Sequence, residues 1–95
     1  MDAPPTVTIR IGSALRAWAG VESQVAVPAA NVRGALSAIA AQHPSLYRGI
    51  CDETGAVRAH VNLFVNQDHI RDRDGLDTRL AAGDELIVFP AVSGG

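Results

Sequence analysis

The sequence predicts an α+β domain in which a mixed sheet of about five strands packs on one main helix. Apolar residues alternate with polar ones at Thr6–Ile11, the period-two pattern of a half-buried strand. Val61–Val65 and Glu85–Phe89 are apolar runs of strand length, whose successive side chains would point to opposite faces of a sheet. After Asn31, between the first two of these segments, apolar residues recur at helical spacing. Because the helix separates two groups of strands, we expect its apolar stripe to cover one face of a single sheet.

The first strand, Thr6–Ile11, is expected to form a hairpin with a second strand at Ser23–Val27, where alternation resumes. Pro28 has no amide hydrogen for a ladder, so the second strand should end there. The loop that joins the two strands, Gly12–Gly20, is long for a hairpin connection.

Asn31 predicts the start of the main helix, because its side chain can accept a hydrogen bond from a free amide of the first turn. The helix is expected to continue to about His43, where Pro44 stops it. Its apolar stripe consists of Val32, Leu36, Ile39, Ala40 and His43. The next segment, Ser45–His60, has no clear period. Its apolar residues Leu46, Tyr47 and Ile50 are expected to pack under the end of the helix.

The remaining chain predicts three more strands. Val61–Val65 is followed by a tight turn at Asn66–Asp68 and a short strand at His69–Arg71. The last strand is Glu85–Phe89, and Pro90 is expected to end its ladder.

Composition excludes several classes of protein. The 95 residues suit one domain, and a hydrophobic content of 47% is too high for a disordered chain. The net charge of −2 does not suggest nucleic-acid binding. No apolar run approaches the ~20 residues of a membrane span, and Met1–Pro5 resembles a short disordered leader rather than a signal peptide. We therefore expect a cytoplasmic protein.

The residue types that usually carry side-chain chemistry are too few or too scattered here. Cys51 is the one cysteine, so neither a disulfide nor the four-thiolate site of a ferredoxin-like cluster can form within the chain. His43, His60 and His69 have no metal-ligand spacing. No metal site is predicted, and Cys51 is expected to be a packing residue.

The C-terminal run from Gly83 to Gly95, GDELIVFPAVSGG, resembles the end of the MoaD/ThiS family of ubiquitin-like sulfur carriers. That family ends in a Gly-Asp-Glu turn, a hydrophobic strand, a proline and a Gly-Gly tail. Further similarity spans most of the chain, and the sequence is most similar to the CysO-like branch. The resemblance implies a β-grasp fold over residues 1–95, with the first and last strands paired in parallel at the centre of the sheet and a flexible tail at 91–95.

The resemblance also implies a function for the tail. An E1-like adenylyltransferase and sulfurtransferase of the MoeB/MoeZ kind would adenylate the Gly95 carboxylate with ATP and Mg²⁺ and convert it to a thiocarboxylate. A sulfur-accepting synthase would then receive Gly94, Ser93 and Val92 in its active site and take the sulfur for cysteine, a thio-metabolite or a cofactor. The chain itself would be a protein co-substrate, not an enzyme, and would bind no cofactor. The alternative is a ubiquitin-like modifier that is conjugated through Gly95 to target amines.

The partner must also dock on the folded body. Three large apolar side chains have the phase opposite to the core set, which places them on the sheet face that the helix leaves uncovered. The expected contact residues are Phe64, Ile87, Phe89, Pro90, Ala91 and Arg10. The alternative is that Ser45–His60 folds over this face and covers it.

Overall fold

The computed structural model describes residues 3–12 and 23–90. Two short 3-10 turns, Ile70–Asp72 and Gly75–Asp77, follow the fourth strand. The strands and helices, in chain order, are β1 (Thr6–Ile11), β2 (Gln24–Pro28), α1 (Val32–Gln42), α2 (Pro44–Ile50), β3 (Val61–Val65), β4 (Asp68–His69) and β5 (Glu85–Pro90). The predicted tail at 91–95, the loop from 13 to 20 and the first two residues of the predicted leader lie outside the described residues.

The five strands form one sheet in the order β2-β1-β5-β3-β4. Strands β1 and β5 pair in parallel, with Ile9 opposite Leu86, whereas the other three pairs are antiparallel. The predicted central parallel pair and the β-grasp fold are therefore confirmed. One difference concerns the leader, because the Pro5 carbonyl accepts a hydrogen bond of 2.8 Å from the Ala29 amide. This end of the predicted disordered leader is attached to the sheet.

Helix α1 begins where the sequence predicts. The Asn31 side chain accepts a hydrogen bond of 2.7 Å from the Gly34 amide, as an N-cap residue should. Pro44, where the main helix is predicted to stop, is also the first residue of a second helix, α2, which the sequence analysis did not predict. Proline is favoured at this position because the first amides of a helix need no partner within it. His43 takes an extended φ of −139° and turns the chain between the two helices.

The hydrophobic core lies between the sheet and the two helices. Its β5 members, Leu86 and Val88, are fully buried, as are Leu46 and Ile50 of α2. The interpretation that these α2 residues pack under the end of the helix is confirmed, and they join the same buried cluster as α1. Since Ile87 and Phe89 point to the other side of the sheet, α2 does not cover the face that the sequence analysis assigns to docking.

The second hairpin differs in detail from its prediction. Strand β4 consists of Asp68 and His69, not His69–Arg71, and it pairs with Phe64 and Val65. The strand stops early because the His69 ring nitrogen Nδ1 accepts a hydrogen bond of 3.1 Å from the Arg71 amide, which begins the first 3-10 turn. The last strand, in turn, extends one residue further than predicted, since Pro90 is paired with Val61.

We expect Asn31→Ala to lower the free energy of unfolding by about 1 kcal/mol, because the Gly34 amide loses its acceptor. The measurement is urea unfolding followed by circular dichroism. Ser37→Ala, at an exposed position in the middle of α1, is the matched control and should change stability little. Equal stability of the two variants would contradict the assigned cap.

Candidate functional site

The start of β5 is fixed by the turn that precedes it. Gly83 has a φ of +87°, which favours glycine because a side chain would be strained there. The Asp84 carboxylate accepts a hydrogen bond of 2.8 Å from the Ala81 amide, and the Asp84 amide donates to the Ala81 carbonyl at 3.0 Å. The Gly-Asp-Glu run therefore forms a closed turn that aims β5 into the sheet.

A second set of contacts ties this turn to the β3–β4 hairpin. The Asn66 side chain accepts a hydrogen bond of 3.1 Å from the Glu85 amide and donates one of 3.2 Å to the Asp84 carboxylate. Its backbone amide donates to the Glu85 carbonyl at 2.8 Å. Asn66 holds these contacts with a positive φ of 55°, which asparagine tolerates better than most residues. One asparagine thus helps to set the register of β5 on β3.

The face of the sheet away from the helices has an aromatic and aliphatic centre. Phe64 and Ile87 are opposite each other in the β3–β5 register, and the Phe64 and Phe89 rings meet edge to face with centroids 6.1 Å apart. Phe89 is 49% exposed. Phe64 and Ile87 are half-buried. Of the three large apolar side chains that the sequence places on the uncovered face, Phe89 is therefore the most exposed. Phe64 is less exposed because its ring packs between Phe89 and His69.

Arg10 borders this centre on the β1 side. Its guanidinium lies 3.5 Å from the Glu85 carboxylate, and both side chains are well exposed, so the pair adds little to stability. Arg10, Ser23, Ile87 and Phe89 line much of a hollow of about 330 Å³ among the described residues. A partner that covered this face would meet an apolar centre with a charged edge, the usual composition of a protein interface.

Strand β5 also fixes where the tail begins. Phe89 is opposite Asn62, and Pro90 is opposite Val61 at the start of β3. Five residues follow Pro90, and a fully extended chain of that length reaches at most about 18 Å. The predicted site residues Gly95, Gly94, Ser93, Val92 and Ala91 lie outside the described residues, so the structure places the root of the tail but not its end.

Cys51, the one cysteine in the chain, lies in the core. Cys51 is 1% exposed, and this burial raises the pKa of its thiol, although a hydrogen bond from Tyr47 opposes the shift. The thiol therefore stays protonated near neutral pH, and the thiolate is the reactive form.

Within residues 3–12 and 23–90, no three His, Cys, Asp or Glu side chains are grouped closely enough to hold a metal ion. In the same residues, no helix is long and apolar enough to cross a membrane.

Sequence comparisons identify relatives of the whole chain. The model of the ThiS family matches residues 9–95. The sulfur carrier protein CysO of Mycobacterium tuberculosis is 30% identical over 91 residues, which cover 94% of this chain and 98% of that protein. Small archaeal modifier protein 1 of Haloferax volcanii is 38% identical over 66 residues, or 70% of this chain and 71% of the relative.

Comparison with solved structures identifies the same kind of relative as the sequence comparisons. A chain in the crystal structure of the BexX/CysO complex of Amycolatopsis orientalis superposes with a TM-score of 0.82 at 29% identity, covering 94% of this chain and 99% of the other. The resemblance to the MoaD/ThiS carriers and to their CysO-like branch is therefore confirmed.

Cys51 should react with a thiol reagent such as iodoacetamide at least about tenfold more slowly in the native protein than in urea, because modification requires opening of the core. Alkylation at pH 7.5, followed by intact-mass spectrometry, measures both rates. Cys51→Ala carrying Ser37→Cys provides an exposed thiol on the same fold as a control. Equal rates for Cys51 in the folded and unfolded chains would contradict its burial.

Proposed function

The chain belongs to the ThiS family, and from this premise we propose that it is a sulfur carrier that receives sulfur on the C-terminal carboxylate of Gly95. The observation that carries the proposal is the tail: the last strand leaves the sheet at Pro90, and Ala-Val-Ser-Gly-Gly follows. The similarity to a sulfur carrier protein over almost the full length supports it. The chain acts as a co-substrate of other enzymes, and we expect it to work in the cytoplasm.

The chemistry begins with activation by an E1-like adenylyltransferase. A carboxylate oxygen of Gly95 attacks the α-phosphorus of ATP, and pyrophosphate leaves with Mg²⁺ in the activating enzyme. A persulfide sulfur of the partner then attacks the acyl carbon and displaces AMP. A second thiol of the partner then attacks the sulfur of the cysteine that carried the persulfide and forms a disulfide with it, which breaks the persulfide bond and leaves a thiocarboxylate on Gly95. None of these steps needs a side chain of the carrier as acid, base or nucleophile.

Two glycines at the end of the tail suit this chemistry. Neither has a Cβ, so the tail can enter a narrow channel, and its backbone can adopt angles that other residues avoid. The acyl carbon of Gly95 is also open to attack from either side. The disadvantage is conformational entropy, because a glycine backbone loses more freedom than that of any other residue when it is ordered on docking. Pro90, with its restricted φ, limits how far that freedom extends toward the body.

We propose that the folded body supplies the binding energy for docking. The exposed Phe89 and the half-buried Ile87 and Phe64 offer an apolar contact beside the tail root, with Arg10 at its edge. Pro90 and Ala91 would enter the same interface because they join this face to the tail. A chain in the solved BexX/CysO complex has this fold, which supports the idea that the fold docks on a second protein. For this chain we propose two such partners, the activating enzyme and a sulfur-accepting synthase.

A ubiquitin-like modifier is the second candidate. The similarity to small archaeal modifier protein 1 favours it, and conjugation would use the same activated Gly95 carboxyl. The two functions differ in the acceptor, which is a sulfur nucleophile for a carrier and a target amine for a modifier. The chain has no lysine, so self-conjugation through side-chain amines is excluded. Stable adducts of higher mass on denaturing gels would identify the modifier.

Incubated with ATP, an E1-like enzyme and a persulfide source, the chain should gain the mass of one sulfur in place of one oxygen. Deletion of Gly95 should abolish this change while leaving the melting temperature almost unaltered, because a terminal tail makes few native contacts. Gly94→Ala should load more slowly, since a methyl group would clash in the channel. Intact-mass spectrometry measures loading, with Cys51→Ala as the control that loads normally. Loading of the Gly95 deletion, or loading that is lost with Cys51, would disprove the carrier assignment.

Phe89→Ala should weaken binding of the activating enzyme by about 1–3 kcal/mol, the usual loss for an aromatic hot spot. Isothermal titration calorimetry gives the affinity, and thermal melting shows that the fold is kept, as expected for a side chain that is 49% exposed. Ser37→Ala, on α1 and away from this face, is the control. Unchanged affinity of the Phe89 variant would remove this face from the interface.

A further inference from the structure

A second hollow lies beside β4, at the edge of the sheet farthest from β2. It encloses about 450 Å³, a volume in the usual range for sites that bind small ligands or a few side chains. Apolar groups from Val57, Ile70 and Leu76 form part of its lining. Its polar lining comes from Arg58, Asn62, His69 and Arg71, with no aspartate or glutamate among the lining residues that the structure describes.

Hydrogen bonds around His69 fix the orientation of Asn62. The Arg71 amide donates to Nδ1 of His69, so the ring proton belongs on Nε2 by elimination. Nε2 lies 3.1 Å from the Asn62 side-chain oxygen and donates to it. This bond occupies the acceptor end of the Asn62 amide and leaves its NH₂ group, with two donors, available at the hollow.

The two arginines also retain unused donors. The Arg71 guanidinium lies 3.3 Å from Nε2 of His69, which already carries a proton and cannot accept from it. Arg58 donates from Nε to the Arg48 carbonyl at 2.8 Å, which anchors the side chain and leaves its terminal nitrogens. Within the described residues, neither arginine has a carboxylate within 4.0 Å, whereas Arg10, Arg33 and Arg73 each have one.

The hollow therefore combines unfilled cationic donors with an apolar wall, in a chain whose net charge is −2. We propose that it binds a peptide segment of a partner protein in which a glutamate or aspartate stands beside an aliphatic residue. Charge complementarity selects the carboxylate, which Arg58 and Arg71 can bind with charge-assisted hydrogen bonds. The aliphatic neighbour would pack on Leu76 and Val57. A second copy of this chain would bring the same two arginines against each other and is disfavoured by repulsion.

The position of the hollow indicates when it would be occupied. Asn62 is opposite Phe89 and Val61 is opposite Pro90, so the hollow adjoins the root of the tail. A partner protein that binds the tail could therefore contact the hollow at the same time, because both lie next to β3. The inference goes beyond the proposed function and does not depend on sulfur chemistry at Gly95.

The test is an NMR titration of the full, ¹⁵N-labelled chain with acetyl-Leu-Glu-Leu-amide and its matched control acetyl-Leu-Gln-Leu-amide. The glutamate peptide should shift the Arg71 and Gly75 amides and the Asn62 side-chain NH₂ signals. It should bind roughly tenfold more tightly than the glutamine peptide, because charge-assisted hydrogen bonds are about twice as strong as neutral ones. Arg71→Gln and Arg58→Gln should each weaken it, whereas Arg73→Gln, at an arginine paired with Asp68 outside the hollow, should not.

Several outcomes would overturn the inference. One is equal binding of the two peptides, or no shift at these signals with either peptide. Another is equal binding of inorganic phosphate or acetate, which would indicate an anion site without use of the apolar wall. Shifts that appear on concentrating the protein alone would indicate self-association instead. The ¹⁵N spectrum of each variant shows whether it folds. A chain without Gly95 should bind the peptide normally, which separates this test from that of the sulfur carrier.

Discussion

The parallel pairing of β1 with β5 is the constraint on which the rest of the structure depends. It places the last strand inside the sheet, where β1 pairs with Glu85–Val88 and β3 pairs with Leu86–Pro90. The ladder continues at both ends, since the Thr8 amide donates to the Asp84 carbonyl and the Gly12 amide donates to the Val88 carbonyl. The chain therefore leaves the sheet from a central strand whose last two residues, Phe89 and Pro90, are paired with β3, and the segment after Pro90 has a defined starting point.

The two faces of β5 have different surroundings. Leu86 and Val88 face the helices and are fully buried, whereas Ile87 and Phe89 face away from them. Because side chains alternate along a strand, these four consecutive residues can stabilise the core on one face and, in the proposed function, contact a partner on the other. Changes on the inner face should unfold the domain, changes on the outer face should alter docking, and changes beyond Pro90 should alter only the chemistry. This separation suits the proposed carrier, which would present one tail to different enzymes.

Local patterns predict much of this fold, and contacts between distant residues account for what they miss. Alternation identifies β1, short apolar runs identify β3 and β5, and Asn31 identifies the start of α1, since these signals lie within a few neighbouring residues. Helix α2 is missed because Pro44 can end one helix and begin another. The hydrogen bond between Asn66 and Glu85 joins residues 19 positions apart, so a local sequence pattern does not predict it. The partial burial of Phe64 likewise depends on Phe89, which is distant in the sequence. The hollow near Arg71 depends in the same way on elements brought together by folding.

The central claim is that the Gly95 carboxylate is the reactive group and that the folded body only presents it. A semisynthetic chain that ends in a carboxamide at Gly95 tests this directly, because it keeps the body, the tail length and both glycines. The measurement is ATP–pyrophosphate exchange catalysed by the activating enzyme, with affinity for that enzyme measured in parallel. The account predicts that the amide binds nearly as well as the native chain but supports no exchange. Exchange at the native rate with the amidated chain would contradict it.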